Sequence, residues 1–215
     1  MVIAIDGPAG AGKGTIAKLV AKKLNLVYID TGAMYRCISL QALRNNIIND
    51  DLKIVEMSKN INITFDQNDN VFLNGKNVTE EIRSKEVTDI VSSISSIVSV
   101  RKVMVDLQRK FALEHNIIME GRDITTVVFP NADFKFYLDA SIDERTRRRV
   151  KQNKEKGIFS NYEEIKQSII DRDYIDMHKE VGALKRSDDQ IYIDSTNMEK
   201  EEVVDLIIKR VGEVK

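Results

Sequence analysis

The chain is poor in cysteine, in net charge and in long apolar runs, and each shortage narrows what it can be. One cysteine, Cys37, among 215 residues cannot close an internal disulfide, and so sparing a use fits a reducing cytoplasm. Lysine and arginine number 33 against 34 aspartates and glutamates, a formal charge of −1. Neither nucleic acid nor an anionic membrane is therefore an expected partner, since both demand a basic field. No stretch approaches the ~20 apolar residues of a membrane-spanning helix. The apolar start stops at Asp6 without a basic flank, so no secretory signal is expected.

What is present is an ordinary globular composition, 42% hydrophobic and 31% charged, long enough for one sizeable core with a small appended unit. The glycines are concentrated near the start, in "DGPAGAGKGT" at residues 6–15. Val2, Ile3 and Ile5 before it read as a buried strand, and Ile16, Leu19, Val20 and Leu24 after it fall on one helical face. A strand-to-helix turn needs one or two glycines and has no use for a lysine fixed behind the last of them. Gly7, four residues, then Gly12 and Lys13 form a phosphate-binding loop, whose backbone N–H groups and helix N-terminus surround an anion.

Further along, short apolar runs at 27–29, 117–119, 134–138 and 191–193 alternate with the amphipathic patterns "TGAMYRCISLQAL", "RKVMVDLQRKFALEH" and "EEVVDLIIKRV". That order predicts an α/β fold, a parallel sheet flanked by helices. Ligands then gather at the carboxyl ends of the strands, in the loops after Ile5, Ile29, Met119 and Leu138. Residues 61–78, "INITFDQNDNVFLNGKNV", break the pattern with alternation and an Asn-Gly turn, the mark of a small antiparallel β insertion. Asn62 and Asn77 each open an N-x-T pattern, which carries no weight in a cytoplasmic chain.

Four stretches in order, spanning essentially the whole chain, narrow the phosphate chemistry. In the usual loop a Ser or Thr after the lysine ligates magnesium, but here Gly14 stands there and Thr15 follows. This G-x-x-G-x-G-K-G-T pattern, with "DTGAMYR" at 30–36, resembles the nucleoside monophosphate kinases. "MEGRDITTVVFP" at 119–130 is similar to the stretch of the bacterial-type cytidylate kinases, as are "EIRSKEVTDIVSSISSIVSVRKV" and "DRDYIDMHK". The β insertion points the same way.

The resemblance implies transfer of a phosphoryl group from ATP, bound with Mg2+, to CMP or dCMP. It assigns the donor to Gly7, Pro8, Ala9, Gly10, Ala11, Gly12, Lys13, Gly14 and Thr15, under a lid near residues 143–160 whose Arg145, Arg148 and Arg149 close over it. It assigns CMP to Thr31, Arg36, Ser92, Arg101, Arg122, Asp123, Arg172, Asp176 and Lys179, with Lys13, Arg122 and Arg172 at the reacting phosphates. Arg36, Arg122 and Arg172 hold the acceptor phosphate, Ser92, Arg101 and Asp123 the base, and Asp176 with Arg172 the sugar. No residue is assigned as a direct metal ligand; Glu120 is a partner at one remove. Residues 1–58 and 99–215 form most of the core, and 59–98 the monophosphate-binding insertion. Three positions depart from the family's habit: Thr125 for glycine, Lys179 for arginine, and Ala183 for proline. A lysine cannot present a bidentate fork.

Physical chemistry supports such an acceptor independently. A kinase acting on a hydroxyl usually needs a base, whereas a phosphate, with a second pKa of about 6, is already anionic. The task becomes positioning and charge neutralisation, for which arginine forks suit phosphate oxygens. A guanine-reading switch is disfavoured, because N-K-x-D is missing and "NKEK" at 153–156 fails at its last residue. A kinase of a small hydroxylated metabolite, and kinases of UMP or dTMP, stay open on the residues alone. A cytoplasmic monomer is expected.

Overall fold

The structure is a computed structural model that describes residues 1–66, 69–155 and 157–213. Residues 67–68 of the expected insertion and 156 of the expected lid lie outside the described residues, as do 214–215. In chain order the elements are β1 (Val2–Asp6), α1 (Lys13–Leu24), β2 (Val27–Asp30), α2 (Thr31–Arg44), α3 (Asp51–Lys59), β3 (Ile63–Phe65), β4 (Val71–Leu73), β5 (Lys76–Asn77), α4 (Lys85–Ile94), α5 (Val98–Glu114), β6 (Ile117–Gly121), β7 (Phe134–Asp139), α6 (Ile142–Glu155), α7 (Tyr162–Met177), β8 (Ile191–Asp194) and α8 (Lys200–Gly212). They divide into two compact units, Met1–Leu26 with Asn116–Lys215, and Val27–His115.

The first unit holds a parallel sheet in the order β6-β1-β7-β8. Its strands are apolar on both faces, as a sheet covered by helices requires: Ile3, Ala4, Ile5, Ile118, Met119, Phe136 and Leu138 are fully buried. Register sets Ile5 beside Glu120 and Asp6 beside Gly121 and Tyr137. The strands therefore end together, and their following loops start from one edge. Helix α1 packs on β6 and α8, and α6 on α7. Its buried stripe is Ile16, Ala17, Val20 and Ala21, with Leu19 and Leu24 of the expected face only half-buried. Asn25 ends the helix in the left-handed region, φ 53°, a role its short polar side chain tolerates.

In the second unit α2 packs against α4, and α3 against α5. Asp30 caps α2, its carboxylate accepting the Ala33 N–H at 2.9 Å; Thr31 is the first helical residue and is buried. The small sheet β3-β4-β5 is antiparallel. Ile63, Val71 and Leu73 are buried while Thr64 is exposed, the alternation expected of a half-covered sheet. Asn74 and Gly75 both take positive φ, 49° and 79°, as a two-residue hairpin turn of type I′ demands.

Candidate active site

The loop between β1 and α1 is shaped by what glycine alone permits. Gly7 has φ 153°, and a Cβ there would sit 2.0 Å from the Leu138 carbonyl oxygen at the end of β7. Gly10 and Gly12 take φ of 78° and 91°, conformations in which an L side chain is strained. Pro8, Ala9 and Ala11 fill the turns between, and Ala9 and Ala11 are buried. Gly12 precedes α1 with no side-chain cap, so its first N–H groups await an external acceptor, the condition for anion binding. Gly14 is half-buried and Thr15 exposed at that end.

Lys13 is buried and its Nζ donates to Pro8 O at 2.9 Å. Burial lowers its pKa to about 7, helped by repulsion from Arg122 and Arg172 and opposed by Glu120 and Asp6. Three cations thus share one electrostatic neighbourhood at a loop that presents N–H groups. Arg122 donates from Nε to Asp176 at 2.7 Å; burial alone would lower its pKa, but Asp176, Glu120 and Asp173 raise it. Asp176 also meets Lys179 at 3.1 Å. Burial pushes that carboxyl up, but Arg122, Lys179 and Arg172 outweigh it and hold it below its ordinary range. Arg172 is exposed on α7.

The lid arginines divide. Arg145 is buried and donates to Ala140 O, to Ala9 O and to Asp173. Arg148 reaches Ala11 O at 3.3 Å and Ser195 O at 2.6 Å. Arg149 is exposed, bonded to Gln152 one turn on. Two of the three are therefore engaged on backbone, and Arg149 faces solvent.

After β6 the chain makes one turn of π-type helix, Ile124–Val128, fastened to β1 by a buried carboxylate. Asp6 accepts from the N–H of Ile124 at 2.9 Å and of Thr125 at 2.8 Å, and from the Thr125 hydroxyl at 2.5 Å. Burial raises its pKa despite these bonds. Gln190 donates to the same hydroxyl. Thr125, a departure from the family's glycine, thus has a place: its hydroxyl joins β1 to the segment before β8. Asp123, just ahead of the turn, is buried.

The second unit carries the remaining acceptor residues. Arg36 donates to Thr88 Oγ1 at 2.8 Å and to Ile82 O at 3.3 Å, so α2 presents it against α4. Arg101, on α5, is buried, bonds Ser95 O at 3.3 Å and lies 5.6 Å from the Tyr35 ring centroid, a cation–π separation. It is not a surface residue, although its place near a helix start allowed that. Ser92 is half-buried on α4, and its carbonyl accepts from Ser95 and Ser96. Cys37 is buried; burial and then Asp30 push its thiol up to about 12, which excludes thiolate chemistry at neutral pH.

A family model for cytidylate kinase matches residues 3–213. A cytidylate kinase of Fusobacterium nucleatum subsp. nucleatum is 49% identical over 216 aligned positions, spanning 100% of this chain and 99% of the relative. The chain belongs to the cytidylate kinase family. Another cytidylate kinase, of Clostridioides difficile, is 44% identical over 213 residues, covering 99% of this chain and 98% of its own. Among solved structures, a shikimate kinase from Bacteroides thetaiotaomicron aligns with TM-score 0.50 at 15% identity, over 100% of this chain and 97% of that one. An uncharacterized protein from Eubacterium ventriosum gives 0.56 at 12%, over 99% and 98%. At such identities the likeness is one of fold alone.

Within this cytidylate kinase family member, Lys13, Glu120, Arg122, Arg172 and Asp176 interact in the first unit. In the second unit Arg36 meets Ile82 and Thr88, and Arg101 meets Ser95 and the Tyr35 ring. Sequence reasoning missed Asp6, Asp173 and Gln190. For Asp173 a signal existed: Ile169, Asp173 and Asp176 form the buried stripe of α7, so carboxylates occupy positions where helical spacing calls for apolar residues. A buried carboxylate persists only when paired.

Proposed function

We propose that the protein transfers the γ-phosphoryl group of ATP to the phosphate of CMP or dCMP, giving ADP and CDP or dCDP, without a dedicated general base. The observation that carries this is Lys13, repelled by both Arg122 and Arg172, at a glycine loop whose helix N-terminus lacks a side-chain cap. Such repulsion is relieved by a polyanion. Membership of the family names the nucleotide; the charge arrangement supports the chemistry. An oxygen of the acceptor phosphate forms the new bond to the γ-phosphorus, and the bond to the β–γ bridging oxygen breaks, leaving its charge on ADP.

In this reading Lys13 leaves Pro8 O for the outer donor phosphates while the loop amides hold the inner ones, with Thr15 beside them. Arg36, Arg122 and Arg172 hold the acceptor phosphate, Ser92, Arg101 and Asp123 the base, and Asp176 the sugar. Thr31 begins the helix that carries Arg36, and Lys179 keeps Asp176 charged. Among the lid arginines it is Arg149 that would turn from solvent toward the donor, since Arg145 and Arg148 are engaged on the loop itself. Among the described residues no cluster of three or more His, Cys, Asp or Glu side chains is placed to hold a metal. Magnesium arriving with ATP keeps several waters and takes most of its oxygens from substrate phosphates. Glu120 and Thr15 would meet its waters, and the ion would neutralise charge on the donor. We place the enzyme in the cytoplasm as a monomer.

The test is ADP release from ATP in a coupled assay across CMP, dCMP, UMP, dTMP, AMP and shikimate. Turnover with CMP or dCMP at least tenfold above the rest is expected; turnover confined to another acceptor would overturn the assignment.

A further inference from the structure

We propose that Arg145 and Asp173 form a positioning clamp on the phosphate loop, and that the Ala9 N–H belongs to this clamp rather than to the donor phosphates. Asp173 Oδ1 accepts the Ala9 N–H at 3.0 Å, while Arg145 Nη1 donates to Ala9 O at 2.8 Å and to Asp173 Oδ2 at 2.5 Å. Both polar backbone atoms of Ala9 are thus held by one ion pair. Arg145 Nε is fixed in turn on Ala140 O at 2.9 Å, next to the end of β7. A Cβ on Gly10 would lie 3.2 Å from Arg145 Cβ, so α6 sits directly against the loop. Ala9, Arg145 and Asp173 are each 7% exposed.

Stability is a poor explanation for this arrangement. A buried ion pair loses hydration on both partners and is often matched by apolar residues of similar volume. What an apolar pair cannot do is hold an N–H and a C=O at once. The loop needs such a restraint, because Gly7, Gly10 and Gly12 give it little intrinsic preference for one path. Asp173 is also one helical turn from Asp176, which bonds Arg122. Helix α7 therefore references the loop and Arg122 to the same rigid element, and preorganised donors of that kind lower the cost of binding charge.

The inference rests on the proposed function, and the experiment separates the two. ATP binding would be titrated by calorimetry, and KM for ATP and for CMP measured, in the wild-type protein, Arg145→Lys and the double variant Arg145→Met/Asp173→Leu, with thermal unfolding of each. Arg145→Lys retains the ion pair, and hence the fold, but loses the fork that reaches three acceptors. We expect both variants to raise the Kd and KM for ATP about tenfold, the loss of one charge-assisted bond, with KM for CMP within twofold and the double variant's Tm near wild type. Unchanged ATP affinity in folded Arg145→Lys would overturn the clamp, as would equal rises in both KM values. Should the double variant not fold, Arg145→Lys alone decides. If the wild-type protein itself fails to bind ATP, the proposed function falls, and the clamp as a donor-positioning device falls with it.

Discussion

Some of the cations assigned to the substrates differ between the two units in the partners that orient them. In the first, Arg122 and Arg145 are fixed by carboxylates, Asp176 and Asp173, and Lys13 rests on a loop carbonyl. In the second, Arg36 is oriented by a hydroxyl and a carbonyl, and Arg101 by a carbonyl and the Tyr35 ring. A carboxylate fixes a guanidinium firmly but cancels much of its charge at a distance, whereas a neutral acceptor orients it and leaves the charge intact. The first arrangement suits a loop that must keep one shape beside a highly charged donor. In the second unit the Thr88 hydroxyl and the Ile82 and Ser95 carbonyls turn Arg36 and Arg101 without themselves placing negative charge beside the guanidinium.

The strongest way to break this contrast is to remove Lys13, whose ammonium rests on a carbonyl of the first unit's loop. Lys13→Met should lower kcat/KM about a thousandfold, the upper range for losing one preorganised donor at a developing charge, without loss of fold. The sign for stability is the opposite of a usual core charge deletion. Burial has moved the lysine's pKa down from 10.5 to about 7, so the native state resists its charged form. Below pH 7 that cost is fully present; between 7 and 10.5 the unfolded chain holds the proton longer, and wild-type stability rises with pH. The methionine variant should therefore be the more stable protein at pH 7, by an advantage that shrinks toward pH 10. Denaturant melts at both pH values check the sign, and a destabilised variant at pH 7 would remove the picture of a repelled lysine.

In the second unit Arg36→Gln should raise KM for CMP about a hundredfold, from the loss of bidentate charge-assisted contacts, with KM for ATP nearly unchanged. Equal effects on both nucleotides would show that Arg36 serves the fold of α2 against α4 rather than the acceptor.

Much of this was legible in the sequence because it rests on short-range rules. The loop glycines, the Asn74–Gly75 turn and the apolar strand runs each carry their own local physics; the strands of the parallel sheet begin where their apolar runs begin, while α5 begins three residues ahead of its amphipathic pattern, at Val98. The α1 stripe was drawn one step too leucine-rich, since Ala17 and Ala21 allow closer packing than Leu19 and Leu24. The clamp on Ala9 was not legible: residues 9, 145 and 173 come together only once α6 and α7 pack. The resemblance gives Arg145 the same lid role as Arg148 and Arg149, and only burial separates it from its exposed neighbours Arg147 and Arg149. The cap of α2 was not legible either: Asp30 and Thr31 are adjacent oxygen-bearing residues, and only geometry assigns the role to Asp30.

Asp123 sharpens the contrast in a third way, since it is a buried carboxylate ahead of a turn that Asp6 fastens. Cytosine offers an amino donor where uracil offers a carbonyl. If Asp123 accepts from that amino group, Asp123→Ala should shrink the kcat/KM advantage of CMP over UMP about tenfold, the worth of one contact to a charged group. Both substrates would be measured with both proteins at one magnesium concentration. A rate loss with an unchanged ratio would assign Asp123 to the loop's shape instead.

The smallest expected effect is a protonation, and it tests the first unit alone. With its pKa near 7 in the free protein, Lys13 is largely neutral at pH 8, and a bound phosphate favours its charged form. ATP binding at pH 8 should therefore take up close to one proton, seen as a dependence of the calorimetric heat on the ionisation enthalpy of the buffer. The affinity should fall about fivefold between pH 7 and 8, the cost of protonating a base of pKa 7 before it meets its anion. The window closes above the pKa of the bound state, where uptake ends. Lys13→Met should abolish the uptake while leaving the residual affinity flat over the same range. If the methionine variant takes up the same proton, another group titrates on binding; Asp6 is the first to examine, because burial has raised its pKa and its carboxylate borders the same loop. Asp6→Asn retains the acceptor for Ile124 or Thr125 and removes the charge, so uptake that persists in Lys13→Met and vanishes in Asp6→Asn would move the titration from the lysine to the strand that carries it.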